Sequence, residues 1–143
     1  MMTIESKAVT LVKIFFSENK GRFIYTNQKG NVVNCEVFDD GIIVDCLGNA
    51  PHKDFLPWGV FWHAVNVMME NGGKAPRGSA MNSPLGGKNL PFNSVEGRIA
   101  NVIYGKQEGE HAFQRISPIA HILKASGVCI DQTGDLELDP SKF

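Results

Sequence analysis

The chain has 143 residues, 43% of them apolar and 20% charged, with a net charge of -1, a composition that excludes a disordered chain and is long enough to bury a core without disulfide staples. Its longest apolar runs, Ile14-Phe15-Phe16 and Gly59 to Trp62, fall far short of the roughly 20 residues that cross a bilayer, which excludes a membrane-spanning helix. Near neutrality also removes any global attraction to polyanions or anionic membranes.

Residues 3–18 are expected to form a helix, because Ile4, Ala8, Leu11, Val12 and Phe15 recur at helical spacing and Gly21 follows as a stop. Period-two alternation comes next in Phe23 and Tyr25, then Val33, Cys35 and Val37, then Ile42, Val44 and Cys46, the pattern of a three-stranded antiparallel meander. A three-residue Gln28-Lys29-Gly30 loop sets Phe23 opposite Cys35 and Tyr25 opposite Val33. An Asp40-Gly41 turn sets Cys35 opposite Cys46, Val37 opposite Val44 and Val33 opposite Gly48, which aligns Arg22, Glu36 and Asp45 in one row on the other face.

A linker near residues 49–55 leads to a helix with Pro57 in its first turn, ending before Gly72-Gly73. Phe61, Ala64, Val65 and Met68 make its apolar stripe, with His63, Asn66 and Glu70 on the far side. Residues 72–93 then read as a long Gly/Pro-rich loop that carries Lys74, Arg77 and Lys88 and no acid, the kind of loop that is either functional or without fixed structure.

Ser94 is placed to cap a helix carrying Val95, Ile99, Val102 and Ile103 on one face. Glu110 to Arg115 is expected to form a short second helix, and Ser117-Pro118 to start a third that ends at Gly127 with Ile119, Ile122, Leu123 and Ser126 inward and Ala120, His121 and Lys124 outward. A Gln132-Thr133-Gly134 loop pairs Val128 and Ile130 with Leu138 and Leu136 in a closing hairpin.

The fold class expected is therefore α+β, a single domain over 1–143 whose sub-parts are a helix-meander-helix unit at 1–71 and a second unit at 94–139, joined by the basic loop 72–93. Three helices followed by a hairpin, with Gly127 closing the third helix, resemble a winged helix. The resemblance implies a third helix that enters the major groove and a hairpin wing at the backbone, and it implies equally a protein-docking module, because fold does not fix function.

The charge distribution sharpens the expectation. Between Gly72 and Ile130 the basic residues Lys74, Arg77, Lys88, Arg98, Lys106, Arg115 and Lys124 outnumber Glu96, Glu108 and Glu110, so that stretch is +4, whereas the tail beyond it is -3. Lys74, Arg77, Lys88, His121 and Lys124 are the candidate nucleic-acid or anion-binding residues, since glycine-rich backbone lets N–H groups approach an anion while Lys and Arg supply charge. Gly86-Gly87-Lys88 is not a P-loop, because Asn89 stands where Ser or Thr is required and Asn82 where the first Gly belongs.

Other constellations have plainer readings. Glu36 beside Asp45 has the chemistry of a metal-assisted phosphodiester site, but Arg22 in the same row makes it a solvated charge row. Cys46 with His52 or His63 carries no nucleophile signature. Cys35, Cys46 and Cys129 lack the spacing of a zinc site, so free thiols, no metal and no cofactor are expected. Trp58 and Trp62, one helical turn apart, read as packing between helix and sheet. Glu5 ahead of the first lysine and Lys13 within the apolar stretch do not read as a signal peptide, so a cytoplasmic chain without a membrane partner is expected. The function expected is that of a small regulatory or accessory binding protein contacting nucleic acid. The alternatives are a protein-interaction module and, third, a phosphodiester-acting enzyme using Glu36 and Asp45.

Overall fold

A computed structural model describes residues 3–45 and 55–143 and has a mixed α+β architecture. Its first helix, α1 (Ile4–Glu18), starts at Thr3, whose hydroxyl accepts the Ser6 N–H at 3.1 Å, and stops where Gly21 takes a positive φ and returns its N–H to the Phe16 carbonyl. That is the capping chemistry a helix needs for its orphan backbone groups.

Strands β1 (Arg22–Thr26), β2 (Val32–Phe38), β3 (Gly41–Val44) and β4 (Phe55–Pro57) follow as one antiparallel sheet in sequence order. The first hairpin has the expected register, Phe23 opposite Cys35 and Tyr25 opposite Val33. The second differs. Phe38 pairs with Gly41 across an Asp39-Asp40 turn, so Cys35 lies opposite Val44, Val37 opposite Ile42 and Glu36 opposite Ile43. The cause is β4, a strand not foreseen, which includes Phe55 and Pro57 where a linker end and a helix start were expected. Gly41 pairs with Pro57, and a Cβ on Gly41 would sit 2.2 Å from the Leu56 carbonyl oxygen. Gly41 is thus used inside the sheet and not in the turn. A slip of two residues leaves every side chain on its intended face, so Val33, Cys35, Ile42 and Val44 are still buried. Cys46, Gly48 and His52 lie outside the described residues, and the pairings placed there with them.

Helix α2 (Gly59–Glu70) buries Phe61, Ala64, Val65 and Met68 as its pattern requires and packs on α1 and on α3 (Val95–Val102). Ser94 caps α3 through the Gly97 N–H. Helix α4 (Ile116–Ala125) ends before Gly127 at positive φ and contacts α1 and α2. Among the described residues no helix is long and apolar enough to cross a membrane. Buried residues from both halves of the chain, from Ala8 to Leu138, form one continuous cluster.

The region from 94 to 139 departs from the winged-helix arrangement in three ways. Residues 110–115 are not helical: Leu85 exchanges backbone hydrogen bonds with this stretch by donating to Glu110 and accepting from Gly109, and the Arg115 N–H is taken by the Glu96 carboxylate. The closing hairpin is slipped by one residue, with Cys129 opposite Leu138. Strand β6 (Leu136–Glu137) pairs instead with β5 (Lys74–Ala75) from the basic loop, so the hairpin is covered on its other edge. Third, Ala120 is buried, as are Ile116, Ile119, Ile122 and Leu123, which leaves α4 little free surface. Leu85 and Leu90 with Ala80 make a satellite cluster that gives residues 72–93 a fixed path. Aliphatic side chains under a long loop supply the burial that its Gly/Pro composition conceals.

Candidate functional site

Loop 72–93 is stitched to the start of α3. The Val95 N–H donates to Pro76 O and the Glu96 N–H to Arg77 O, both at 2.9 Å. Gly78 lies so close to α3 that a Cβ there would meet the Ser94 hydroxyl oxygen at 2.4 Å. Arg77 is thereby held at the start of α3, and it shares a cleft with Ser117 and His121 of α4.

Across from Arg77 stands the β1–β2 turn, rigid because Asn27 Oδ1 accepts the N–H groups of both Lys29 and Asn31, at 3.0 and 2.9 Å. Between them opens a cleft of about 400 Å³, lined by Lys29, Arg77, Met81, Gln114, Ser117 and His121 among others, with no acidic side chain among the described residues. His121 packs its ring on Tyr25, with centroids 3.9 Å apart and planes within 12°. Its Nδ1 lies 2.8 Å from the Ser117 carbonyl oxygen. The Arg77 Nε is buried without a hydrogen-bond partner, an unusual state for a guanidinium nitrogen.

Behind this wall lies Glu96, 2% exposed. Its carboxylate accepts the Arg115 N–H at 2.5 Å. Burial pushes its pKa up to about 7, while the N–H groups of Arg115, Ala80 and Ile116 and the Arg115 charge hold it from rising further. The Arg115 guanidinium lies 3.6 Å over the Tyr104 ring and donates to Phe113 O at 3.1 Å. Burial lowers the pKa of Arg115 and raises that of Tyr104.

The five sequence-derived site residues do not form one surface. Arg77 and His121 meet in the cleft. Lys124 lines an adjoining hollow that Asp131 shares. Lys74 sits in β5 directly opposite Glu137. Lys88 is exposed on the loop. Lys29, Gln114 and Glu96 were not foreseen: Lys29 looks like an ordinary turn residue, and Glu96 like a first-turn acid favoured by the helix dipole.

Other constellations come apart. Glu36 and Asp45 are not cross-strand neighbours, because Asp45 instead accepts from the Asn34 side chain at 2.8 Å and its backbone N–H at 2.9 Å. Glu70 forms a two-pronged ion pair with Arg98, which holds its carboxyl below the ordinary range. His63 has its pKa lowered by burial and by Arg98. No group of three or more metal-ligating side chains gathers among the described residues. Trp58 packs through an indole N–H bond of 2.8 Å to the Asp39 carbonyl, while Trp62 is exposed. Compared with family models, with curated proteins and with solved structures, the chain matches none.

Proposed function

We propose that this chain is a small accessory binding protein whose partner is nucleic acid, held by phosphate in the Lys29–Arg77–His121 cleft. The observation that carries the reading is that three basic side chains from three separate segments line one cleft with no acid among the described residues. Arg77 supplies a guanidinium to the cleft, the group best suited to phosphate. The burial of Ala120 argues against base reading by an inserted α4, so contacts are to phosphate and carry little sequence preference.

Few contacts mean weak binding with a shallow salt dependence, about 0.7 to 0.9 logarithmic units per phosphate contact. The test is titration with a mixed pool of duplex and single-stranded oligonucleotides at low and at physiological salt. Binding at low salt that Arg77→Ala weakens supports the reading, and no complex even at low salt removes it.

A second reading is favoured by the outer face of the sheet, where Ile24, Val32, Phe38 and Ile43 are all exposed. Exposed apolar side chains set among Arg22, Glu36 and Asp45 on one sheet face suit a protein partner. Phosphodiester chemistry on Glu36 and Asp45, by contrast, loses its geometric basis with the observed register.

A further inference from the structure

The chemistry of His121 carries the cleft further. A carbonyl oxygen only accepts, so the 2.8 Å contact with Ser117 O requires the proton on Nδ1. In the neutral ring Nε2 is then a bare lone pair, an acceptor that repels an oxyanion. Only the imidazolium offers an N–H at Nε2. Stacking on Tyr25 holds the plane of the ring, and a half-turn within that plane would place Cδ2 against Ser117 O and lose the hydrogen bond.

The charged surroundings also bear on ligand size. Lys74 faces Glu137, and Lys124 shares its hollow with Asp131, so neither continues an acid-free track away from the cleft. What remains is one cleft lined by Lys29 and Arg77, with His121 as a third, conditional donor. A long phosphodiester backbone would find few cations beyond it, whereas a doubly charged terminal phosphate needs no more than the cleft itself.

We infer that the cleft is a site for a phosphomonoester, free or at the end of a nucleic-acid strand, and that it binds with uptake of a proton by His121. The inference rests on the phosphate-binding reading of the same cleft. Charged and titratable groups facing His121 are Lys29 from the β1–β2 turn, Arg77 from the loop, Tyr25 from β1, and Lys124 with Asp131 at the adjoining hollow. Glu96 lies behind the wall, bound to the Arg115 N–H, and its protonation would also favour an anion.

The probes are sulfate, a nucleoside monophosphate, and one oligonucleotide prepared with a 5′-phosphate or a 5′-hydroxyl, measured calorimetrically on the full chain between pH 5.5 and 8. Sulfate stays doubly charged across this range, so its pH dependence reports the protein alone. Its affinity is expected to fall with rising pH, by at most about tenfold per pH unit for each proton linked. His121→Gln supplies a neutral donor near the Nε2 position and should bind sulfate with less pH dependence than the parent, what remains being that of Glu96. His121→Asn preserves a donor toward Ser117 but none toward the ligand, and should bind more weakly at pH 5.5 by about tenfold or more. Glu96→Gln isolates the second group, and the pH dependence should persist in it.

A pH dependence in His121→Gln as steep as the parent's, or its loss in Glu96→Gln alone, overturns the role of His121. Equal binding of the 5′-phosphate and 5′-hydroxyl strands overturns the phosphomonoester while leaving the nucleic-acid reading in place. Binding of sulfate and the mononucleotide without either strand leaves the phosphomonoester site standing and removes nucleic acid as the partner.

Discussion

The carboxylate of Glu96, from the first turn of α3, accepts the backbone N–H of Arg115 at the mouth of α4. One buried acid therefore serves two helix starts, its own by charge and a neighbour's by hydrogen bonding. Arg115, at the N-cap position of α4, makes no side-chain cap, and the carboxylate supplied from α3 takes that place. Anions at helix N-termini are favoured by the orphan N–H groups and the helix dipole. Burying a carboxylate is costly unless it is hydrogen-bonded, and these N–H donors are what make the position tolerable.

Stability should therefore depend on Glu96 protonation. Its pKa is raised from 4.5 to about 7 by burial, so the folded chain holds a proton that the unfolded chain releases. The contribution is full below the unfolded value and is lost as pH rises from about 4.5 through 7, to a limit of about 3 kcal/mol. Chemical denaturation of the parent and of Glu96→Gln at pH 4.5 and pH 8 should show stability decreasing with pH more steeply in the parent. Equal slopes would mean that folding leaves the pKa of Glu96 unshifted.

Gly97 should not tolerate a methyl group. A Cβ there would lie 2.0 Å from the Pro91 carbonyl oxygen and 2.8 Å from the Ser94 hydroxyl that caps the helix. In an exposed helix interior Gly→Ala is stabilising by propensity, but overpacking against a backbone atom outweighs that gain. Gly97→Ala is expected to cost about 3 kcal/mol, read as a loss in the midpoint of urea unfolding. A neutral or stabilised variant would show that the loop yields easily.

Much of the scaffold was legible in the sequence, and the reasons it failed in places are local. Alternation and the Gln28-Lys29-Gly30 loop specify the first hairpin because the short loop leaves one register with Phe23 and Tyr25 inward. The second register turned on Gly41, which suits a turn in isolation and is required in the sheet only because Pro57 packs against it from 16 residues away. Likewise, the helical expectation for 110–115 had no means to include Leu85 and Glu96, whose hydrogen bonds draw that stretch out. The cleft was half legible. Arg77 and His121 were singled out for charge and for exposure on a helix, but Lys29 joins them by topology alone.

The satellite cluster should govern the loop independently of the main core. Leu85 and Leu90 are fully buried with Ala80 and pack against Ala112. Leu90→Ala is expected to cost about 2 to 3 kcal/mol, expressed as faster amide exchange from Ser79 to Asn89 while the α2 core stays protected. Uniform loss of protection across the chain would instead make the loop part of one cooperative unit.

The basic residues should rank by their surroundings and not by their number. Among the described residues Arg77 has an unpartnered Nε and no acid lining its cleft, whereas Lys74 pairs in register with Glu137 and Lys124 neighbours Asp131. A cation already offset by a carboxylate neutralises a phosphate less, so fewer of the strand's counterions are released and its removal changes the salt dependence less. With a single-stranded oligonucleotide, Arg77→Ala is expected to flatten the slope of log affinity against log salt by about 0.7, and Lys29→Ala similarly. Lys74→Ala and Lys124→Ala should each change it by clearly less. The measurement is fluorescence anisotropy at four salt concentrations for the parent and the four single variants. An equal effect of Lys74→Ala and Arg77→Ala would show that the ligand spreads across the whole basic stretch and that the cleft is no special anchor.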